Sequence, residues 1–483
     1  MNKPVDPAIE VSKARMQAVL DLQKRAQTAK GPPSAALRKE RLTRCIDLIL
    51  MHKDDLVEAI EADFGARSRD LSMLADIVSA IGPLKYARAH LEAWMKPEKR
   101  GVSPAALALF GAKAEVRFQP KGVIGVMTPW NFPVQLALDA IAGAFAAGNR
   151  VMVKPSEFTP ATSGLLAQLF DRFFDEDEIA VFTGGPEVGA AFAGLAFDHL
   201  IFTGATAIGR HVLRAAAENL TPVTLELGGK SPVVISAGAD MTIAAARIMT
   251  GKTMNAGQVC LAPDYVLAPH DKVDAFVEAA GAAVAKMFPT IKANPDYGAI
   301  INQRHYERLR GLIEDARAKG ARVIELNPAN EDFSQQEHRR IPPTLIIDPT
   351  DDMSVMQEEI FGPVLPVKPY GAFTDAITEI NARQRPLALY YFGADEAESE
   401  ALLARTHSGG VTVNDVIFHF SMDDLPFGGI GPSGMGAYHG RRGFQEFSHQ
   451  KAIYRQTGSE ILSMLRPPYG ETFRKQIASR LKP

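Results

Sequence analysis

The segment TMNAGQVCLAPDY at residues 253–265 contains Cys260, one of two cysteines in the 483-residue chain. A thiol becomes a strong nucleophile where its pKa is lowered or where a base lies near it. Neither a disulfide partner nor a metal-ligand spacing accompanies it in the sequence. The segment therefore has two interpretations. Cys260 is either a reactive thiol, which Gly257 allows to approach other backbone, or a small buried core residue.

Two further side chains of suitable chemistry follow or end predicted strands. Glu226 ends a strand in LELGGK, and the glycines after it suit a tight exit from the sheet. A carboxylate at a sheet edge is well placed as a general base, and a helix cap or an ion pair is the alternative. Asn131 lies between Trp130 and Phe132 in TPWNFP. A rigidly held amide N–H there is a suitable oxyanion donor, and an ordinary turn residue is the alternative.

Two other motifs have the chemistry of a nucleotide site. In FTGATAIG, Gly204 and Gly209 frame a glycine turn that leads into a helix N-terminus, an arrangement that favours anions. The spacing is neither that of the dinucleotide-binding glycine motif nor that of a P-loop. In VKPSE, Lys154 can donate to a sugar hydroxyl, while Glu157 can accept from a ribose 2′-hydroxyl and repel a 2′-phosphate.

From residue 122 the sequence alternates between short apolar runs and helical segments. The runs GVIGVMTPW, RVMVKPS, IAVFTGG, HLIFTG and PVTLELGG are typical of strands. Strict alternation predicts parallel β-α-β units, and strands that are apolar throughout predict a sheet covered on both faces. Ligands bind at the carboxyl ends of such strands, where Asn131, Lys154, Gly204 and Glu226 lie. We therefore predict a doubly wound, nucleotide-binding α/β domain.

The alternation restarts after Gly229, which predicts a second α/β domain and a boundary near residues 228–229. Its predicted strands are SPVVIS, DYVLAP, ARVIEL, TLIID, PVLPVKPY and GVTVND. The helix before Cys260 is expected to run through AARIMTGKTMNAGQVC. Helices are also expected over residues 34–64, where Cys45 lies on an apolar stripe and is predicted to be a core residue.

Composition excludes several classes of partner. The chain is 46% hydrophobic and 23% charged, and its 53 basic and 56 acidic residues give a net charge of −3. This balance gives no electrostatic reason to expect nucleic acid or an anionic membrane as a partner. The apolar runs are shorter than a membrane span, and the N-terminus has no apolar signal core. We expect a cytoplasmic location, and no metal site because no Cys/His cluster has ligand spacing.

The motifs together resemble one family, the NAD(P)-dependent aldehyde dehydrogenases. In family order they are TPWNFP, VKPSEFTP, FTGATAIGR, LELGGKSP, NAGQVCLAPDY, EEIFGPVLPV and LPFGGIGPSGMGAYHG. GQVCLAPDYV, NDV, LPFGG and SGMGAYHG resemble the shorter, class 3-like branch, which includes fatty-aldehyde and bacterial coniferyl-aldehyde dehydrogenases. The resemblance covers nearly the whole chain.

The resemblance implies roles for individual residues. Cys260 matches the nucleophile, Glu226 the general base and Asn131 the oxyanion-stabilising amide. The positions that match cofactor-binding residues are Trp130, Lys154, Glu157, Gly204, Gly209, Glu359 and Phe361. Of these, Lys154 and Glu157 match the residues that hold the adenosine ribose, whereas Glu359 and Phe361 match those around the nicotinamide ribose and ring.

The implied reaction is oxidation of an aldehyde to the acid with NAD, or NADP, through a cysteine thiohemiacetal and thioester. An aromatic or hydrophobic aldehyde such as coniferyl aldehyde is the expected substrate. A medium- or long-chain aliphatic aldehyde is the alternative, and a relative that transfers the acyl group to coenzyme A is a further one. That last alternative gains nothing from a hydrolytic base at Glu226.

The resemblance also implies a domain organisation and a homodimer or homotetramer. The cofactor domain would cover residues 1–228, interrupted near 101–120 by a segment for oligomerisation. The catalytic domain would cover 229–430, and a C-terminal oligomerisation segment would cover 431–483. Strand-like alternation in AKAEVRFQP and FSHQKAIYRQ predicts a small β arm that can add edges to a neighbour's sheet.

Overall fold

The computed structural model of the chain describes residues 7–458, 460, 463 and 466–481. One compact unit covers the described residues up to Trp94 together with Pro120–Ser448. A second unit covers Met95–Gln119 together with the described residues from His449 onward. Within the described residues, no helix has both the length and the apolar character needed to cross a bilayer.

The first unit begins with a group of helices. They are α1 (Pro7–Lys30), α2 (Ala35–Met51), α3 (Lys53–Phe64), α4 (Arg69–Ser72), a π-helix (Met73–Val78) and α5 (Ser79–Trp94). Ser34 caps α2 by accepting from the backbone N–H of Leu37, as a Ser at this position commonly does. The helices predicted over residues 34–64 are confirmed, and so is the full burial of Cys45.

The segment after α5 contributes two strands to a small sheet. Its elements are β1 (Glu98–Arg100), α6 (Ala106–Leu109) and β2 (Lys113–Pro120). Near the C-terminus follow α17 (Gly440–Glu446), β16 (Ser448–Arg455) and α18 (Glu471–Arg480). β1, β2 and β16 form a three-stranded sheet in that order, so the strands predicted in AKAEVRFQP and FSHQKAIYRQ are confirmed.

A six-stranded sheet forms the first half of the unit, where the sequence alternates between strands and helices. Its elements are β3 (Val123–Met127), α7 (Gln135–Ala147), β4 (Arg150–Lys154), α8 (Pro160–Phe173), β5 (Ile179–Val181), α9 (Pro186–Ala193), β6 (His199–Gly204), α10 (Thr206–Ala217) and β7 (Val223–Leu227), with β15 (Gly434–Met435) at one edge. The order is β15-β7-β6-β3-β4-β5, and only β15 is antiparallel to its neighbour. Every residue of β3 and β4 is buried, as expected for strands covered on both faces.

A seven-stranded sheet forms the second half of the unit. Its elements are β8 (Pro232–Ile235), α11 (Met241–Thr253), β9 (Tyr265–Pro269), α12 (Val273–Met287), α13 (Gln303–Ala318), β10 (Arg322–Glu325), β11 (Thr344–Ile347), α14 (Ser354–Gln357), β12 (Val364–Tyr370), α15 (Phe373–Asn381), β13 (Ala388–Phe392), α16 (Glu396–Arg405) and β14 (Gly410–Val413). The order is β10-β11-β12-β9-β8-β13-β14, with β10 antiparallel and the other pairs parallel.

The α/β prediction is confirmed, and the structure changes it in two places. The helix predicted through Cys260 is wrong, because α11 ends at Thr253 and a short 3₁₀ turn, Met254–Gly257, follows. Asn255 and Ala256 in that turn have positive φ, which ends the α-helix. The sequence patterns also missed β13, a fully buried strand between β8 and β14. The predicted domain division at 228–229 falls between β7 and β8, and as a domain assignment it stays a prediction.

Candidate active site

A cavity of about 750 Å³ lies where the carboxyl ends of the strands meet the loops around Cys260 and Glu359. Many of the residues predicted to act in chemistry or cofactor binding line it: Trp130, Asn131, Gly204, Glu226, Cys260, Glu359 and Phe361. Strand register explains part of this convergence. Met127 at the end of β3 is level with Lys154 of β4 and Phe202 of β6, while Thr203 of β6 is level with Glu226 of β7.

The loop that carries Cys260 is held by buried side chains. Gln258 is fully buried, donates to the carbonyls of Asn255 and Ala299 at 2.8 and 3.0 Å, and accepts from the N–H of Ile301 at 2.9 Å. On the other side of the thiol, Tyr390 donates to the carbonyl of Leu261 at 2.6 Å. These bonds fix the backbone on both sides of Cys260, so the thiol is held at the cavity wall.

Glu226, the next-to-last residue of β7, lines the same cavity. Its side chain is buried, and both carboxylate oxygens lack a hydrogen-bond partner within the described part of the chain. A buried carboxyl without partners is costly, and such groups mark sites where a ligand or water completes the bonding. Gly434 of β15 is its antiparallel neighbour, so a residue distant in sequence forms the sheet edge beside it.

Asn131 places its amide beside the loop that precedes Cys260. The side chain is 2% exposed, and Nδ2 donates to the carbonyl of Gln258 at 3.1 Å. An amide carries two N–H donors, so one remains for a ligand in the cavity. The backbone carbonyl of Asn131 accepts from Asn255 at 3.2 Å and from Arg67 at 2.6 Å, which holds the residue from two sides.

The electrostatics of the cavity favour neutral forms of its acidic groups. Burial, with smaller contributions from the carboxyls of Glu359 and Glu226, raises the pKa of the Cys260 thiol to about 12. Burial also raises the pKa of Glu226 well above its usual value, and the charge of Asp139 adds to this. Titratable groups with strongly shifted pKa values often cluster at functional sites, and these two groups line one cavity.

Glu359 and Phe361 lie on the loop after α14, across from β7. Glu359 packs so tightly on Gly228 that a Cβ there would lie 2.0 Å from Oε2, and it accepts a hydrogen bond from the backbone of Gly229. Burial raises the pKa of Glu359 to about 8. Phe361 has a positive φ and meets Trp130 edge to face at 5.3 Å between ring centroids. The pair forms an aromatic corner of the cavity.

The start of α10 offers donors for an anion. Ala205 precedes the helix and has no side-chain cap, and Ala205, Thr206 and Ala207 line the cavity. The free backbone N–H groups at such a terminus favour negative charge. Gly204 also lines the cavity, whereas Gly209 does not. A Cβ on Gly209 would lie 2.7 Å from Leu227, so this glycine allows α10 to pack closely on β7.

Lys154 and Glu157 lie outside the cavity lining, at the end of β4. Lys154 Nζ donates to the carbonyl of Pro155 at 2.6 Å and lies 3.8 Å from Glu157 Oε2. Burial lowers the pKa of Lys154, and the Glu157 charge opposes that shift. β4 is the neighbour of β3 on the side away from β6. The role of the two residues at the adenosine ribose stays a prediction.

The sequence patterns assigned no site role to Tyr438, His439 or His305. Tyr438 lines the cavity, and its pKa is raised by burial and by the charges of Asp139, Glu226 and Cys260. His439 Nε2 lies 2.6 Å from Asp139 Oδ2. His305 at the start of α13 also lines the cavity, and its ring centroid is 5.4 Å from that of Trp130. The SGMGAYHG motif held a signal for Tyr438 and His439, because it belongs to the set that carried the resemblance.

Other polar groups have structural partners. His419 bonds through Nδ1 to the hydroxyl of Thr412 at 2.8 Å. Both cysteines are free thiols. Across the described residues, no three His, Cys, Asp or Glu side chains are grouped so that they can hold a metal ion. The cavity thus combines a thiol, an unpartnered carboxyl, an amide donor and a helix N-terminus, which suits acyl chemistry with a bound anionic cofactor.

Comparison with known proteins agrees with this chemistry. A "probable coniferyl aldehyde dehydrogenase" of Caulobacter vibrioides is 64% identical over 100% of both chains. A coniferyl aldehyde dehydrogenase of a Pseudomonas species is 52% identical over 95% of each chain. The solved structure of a Mycobacterium tuberculosis aldehyde dehydrogenase complexed with NAD⁺ superposes with a TM-score of 0.82 at 29% identity, covering 92% of this chain and 91% of that one. The aldehyde dehydrogenase family model matches residues 3–453, and the chain belongs to that family.

Proposed function

We propose that the protein oxidises an aromatic or similarly hydrophobic aldehyde to its carboxylic acid with NAD, with Cys260 as the nucleophile. The observation that carries this proposal is the placement of a thiol, an unpartnered buried carboxyl and an amide donor in one cavity. Family membership supports the reaction type. The roles of the individual residues are proposals, which their positions and chemistry support.

Cys260 attacks the aldehyde carbon, and the carbonyl oxygen becomes an oxyanion. Because the thiol of Cys260 has a raised pKa, its proton must pass to a base as the carbon–sulfur bond forms. The free N–H of the Asn131 amide and the backbone N–H of Cys260 are the proposed donors to the oxyanion. A single donor of this kind is typically worth about 3 kcal/mol of transition-state stabilisation.

Glu226 is the base that releases the product. Its carboxylate, once ionised, is more basic than an exposed one, because burial raises its pKa. It removes a proton from water, which then attacks the thioester carbon and frees the thiol. A relative that transfers the acyl group to coenzyme A needs no such base, so Glu226 favours hydrolysis over that alternative.

The cavity fits NAD. The backbone N–H groups at the start of α10 suit a pyrophosphate, and Gly204 leaves the turn open to it. We assign Glu359 to the ribose hydroxyls and Phe361 to the side of a flat ring. Lys154 and Glu157 are assigned to the second ribose, where a carboxylate favours NAD over NADP. A nicotinamide cofactor held by these residues would supply the hydride acceptor that the oxidation requires.

The substrate preference rests on the walls of the cavity and on the relatives. Trp130, His305, Phe361, Phe427 and Tyr438 give the lining a strongly aromatic character. Flat aromatic substrates pack well against such side chains. The two relatives described above are named for coniferyl aldehyde. A cinnamyl-type aldehyde such as coniferyl aldehyde is therefore the proposed substrate, ahead of a medium- or long-chain aliphatic one.

We further propose a homodimer or a tetramer of dimers. β16 is an edge strand of the three-stranded sheet, and most of its side chains are exposed. An open edge of this kind can pair with a strand of a second copy. Light scattering coupled to size-exclusion chromatography measures the mass directly, and a single species at the monomer mass of 52.3 kDa would overturn the proposal.

The experiment for the function is a steady-state screen of NADH formation. Coniferyl and cinnamyl aldehydes, benzaldehyde and a series of aliphatic aldehydes are compared by kcat/KM. We expect the cinnamyl type to be preferred by at least ~10-fold over aliphatic aldehydes, a difference of about 1.4 kcal/mol in transition-state binding. Preference for a long aliphatic chain would support the alternative substrate. Cys260→Ala should abolish NADH formation with every aldehyde, while the control Cys45→Ala should retain it.

A further inference from the structure

A buried ion pair outside the cavity contacts the loop that carries Asn131 at two points. Arg67 Nη2 donates to Asp76 Oδ2 at 2.6 Å, and both side chains are 0% exposed. Arg67 lies just before α4, and Asp76 lies in the π-helix Met73–Val78. A π-helix is rare and often marks a functional region of a helical segment. Neither residue lines the cavity or belongs to the motifs that carried the family resemblance.

Arg67 holds the middle of the loop. Its Nη1 donates to the backbone carbonyl of Asn131 at 2.6 Å. The guanidinium carbon lies 4.8 Å from the ring centroid of Phe64 and 4.9 Å from that of Phe132. The planar group is therefore fixed between two aromatic rings, one of which follows Asn131 directly. Arginine suits this position because its planar guanidinium can donate hydrogen bonds to the carboxylate and to the carbonyl at the same time.

Asp76 holds the end of the loop that leads into α7. Its Oδ1 accepts from the backbone N–H groups of Val134 and Gln135 at 3.2 and 3.4 Å. Val134 precedes α7 and Gln135 is its first residue. The Asp76 carboxylate therefore caps the N-terminus of α7 although it belongs to a different helix. The ion pair thus connects the carbonyl of Asn131 to the start of α7, four residues further along the chain.

A second contact ties this arrangement to the nucleophile. Asn255 Nδ2 donates to the carbonyl of Asn131 at 3.2 Å and to that of Gln258 at 3.3 Å. The Asn131 side chain donates to the same Gln258 carbonyl. Any shift of the Asn131 backbone therefore changes where its amide lies relative to the loop of Cys260.

We propose that Arg67 and Asp76 are positioning residues, which hold the Asn131 amide where the oxyanion forms. A buried ion pair is usually no more stabilising than a hydrophobic pair of the same size, so stability alone gives little reason for one here. Oxyanion donors, by contrast, act only when they are held in place before the reaction. This inference rests on the proposed function, because it assigns Asn131 the role of donor.

The test is the rate of the first turnover in Arg67→Lys, measured as the burst of NADH after mixing with aldehyde. Lysine keeps the positive charge but lacks the planar guanidinium that bonds to both partners. We expect the burst rate to fall by ~10- to 100-fold, as when a reacting group is misplaced. KM for NAD and the rate of Cys260 alkylation by iodoacetamide should change by less than ~2-fold. The matched control is Arg41→Lys, which alters another buried ion pair, Arg41–Glu178, and should leave the burst unchanged.

A double-mutant cycle separates positioning from general support of the fold. If Arg67 acts through Asn131, then Asn131→Ala with Arg67→Lys should be no slower than Asn131→Ala alone. Independent, additive losses would overturn the inference. A normal burst in Arg67→Lys together with a slow burst in Asn131→Ala would also overturn the inference. That result would leave the proposed function intact. A normal burst in Asn131→Ala would instead remove the donor role itself, and the inference with it.

The folded state of each variant is checked by circular dichroism and thermal melting. Asp76→Asn serves as the second variant, because it keeps the shape of the side chain and weakens the pair. It should slow the burst in the same direction as Arg67→Lys. If neither variant folds, the pair is structural and the positioning role is overturned.

Discussion

Gly257 packs so closely on Gly362 that a Cβ at residue 257 would lie 2.3 Å from the Gly362 carbonyl oxygen. Gly257 also has a φ of +75°, which side chains rarely adopt. The contact joins the loop of Cys260 to the loop of Glu359 and Phe361. The proposed nucleophile and the proposed cofactor-binding residues therefore share one backbone contact that only glycine permits.

Gly257→Ala should accordingly disrupt the site. Relief of the overlap requires a shift of backbone beside Cys260, and a misplacement of about 1 Å can cost ~100-fold in rate. We expect a loss of this order in kcat/KM for the aldehyde. The control is Gly311→Ala in α13, where nothing lies within 4 Å of the added methyl group. This variant should keep full activity and gain up to ~1 kcal/mol in stability, and equal behaviour of the two variants would contradict the account.

Alkylation of Cys260 should report the charge of Glu359. The Glu359 carboxylate raises the pKa of the thiol, so removal of its charge lowers that pKa and increases the thiolate at a given pH. Because the pKa of Glu359 is itself about 8, the difference should appear above that pH. Iodoacetamide should react on the order of 3-fold faster with Glu359→Gln than with the wild type at pH 9. Glu358→Gln, whose side chain is largely exposed, is the control and should match the wild type.

Cofactor choice should depend on Glu157. Its carboxylate would lie near the 2′-position of the adenosine ribose, where a phosphate of about −2 charge is repelled. We expect kcat/KM to favour NAD over NADP by at least ~10-fold, or ~1.4 kcal/mol. Glu157→Gln should reduce that ratio by improving NADP, whereas Glu218→Gln, at the exposed end of α10, should not. A wild type that prefers NADP would show that another group decides.

The site residues that were predicted most reliably from the sequence are those at the ends of strands. Glu226, Gly204 and Lys154 end strands whose apolar pattern is plain, because buried parallel strands need apolar residues on both faces. Arg67 and Asp76 carry no such signal, since their partners lie on a loop more than 50 residues away and the contact exists only after folding. β13 was missed for a related reason. A short buried run cannot be told from part of a helix by its period alone.

Stability in acid should depend on His199. Lys121 Nζ donates to its Nδ1 at 2.9 Å, so Nε2 carries the hydrogen and donates to Thr224 at 2.8 Å. Burial, aided by the Lys121 charge, lowers the pKa of His199 to about 3. The unfolded chain takes up a proton near pH 6.5 that the folded chain binds only near pH 3, so stability falls as pH drops across this window. One such group contributes ~1.4 kcal/mol per pH unit.

The measurement is the melting temperature of the wild type, His199→Gln and His211→Gln between pH 7 and 4. His199→Gln should flatten the decline, because the proton-linked group has been removed. His211 is an exposed residue of α10, and its replacement should leave the slope unchanged. Equal slopes in all three proteins would show that His199 is not the group responsible.

Intact-protein mass spectrometry can show whether Cys260 carries the acyl group and whether Glu226 releases it. Glu226→Gln is mixed with NAD and coniferyl aldehyde, and the reaction is stopped with acid after the first turnover. This assignment of roles predicts a burst of NADH together with a mass increase equal to one acyl group in place of one hydrogen. The added mass should be located on the peptide that contains Cys260 and be absent from Glu226→Gln/Cys260→Ala. A burst without any adduct, or an adduct on the peptide of Cys45, would contradict it.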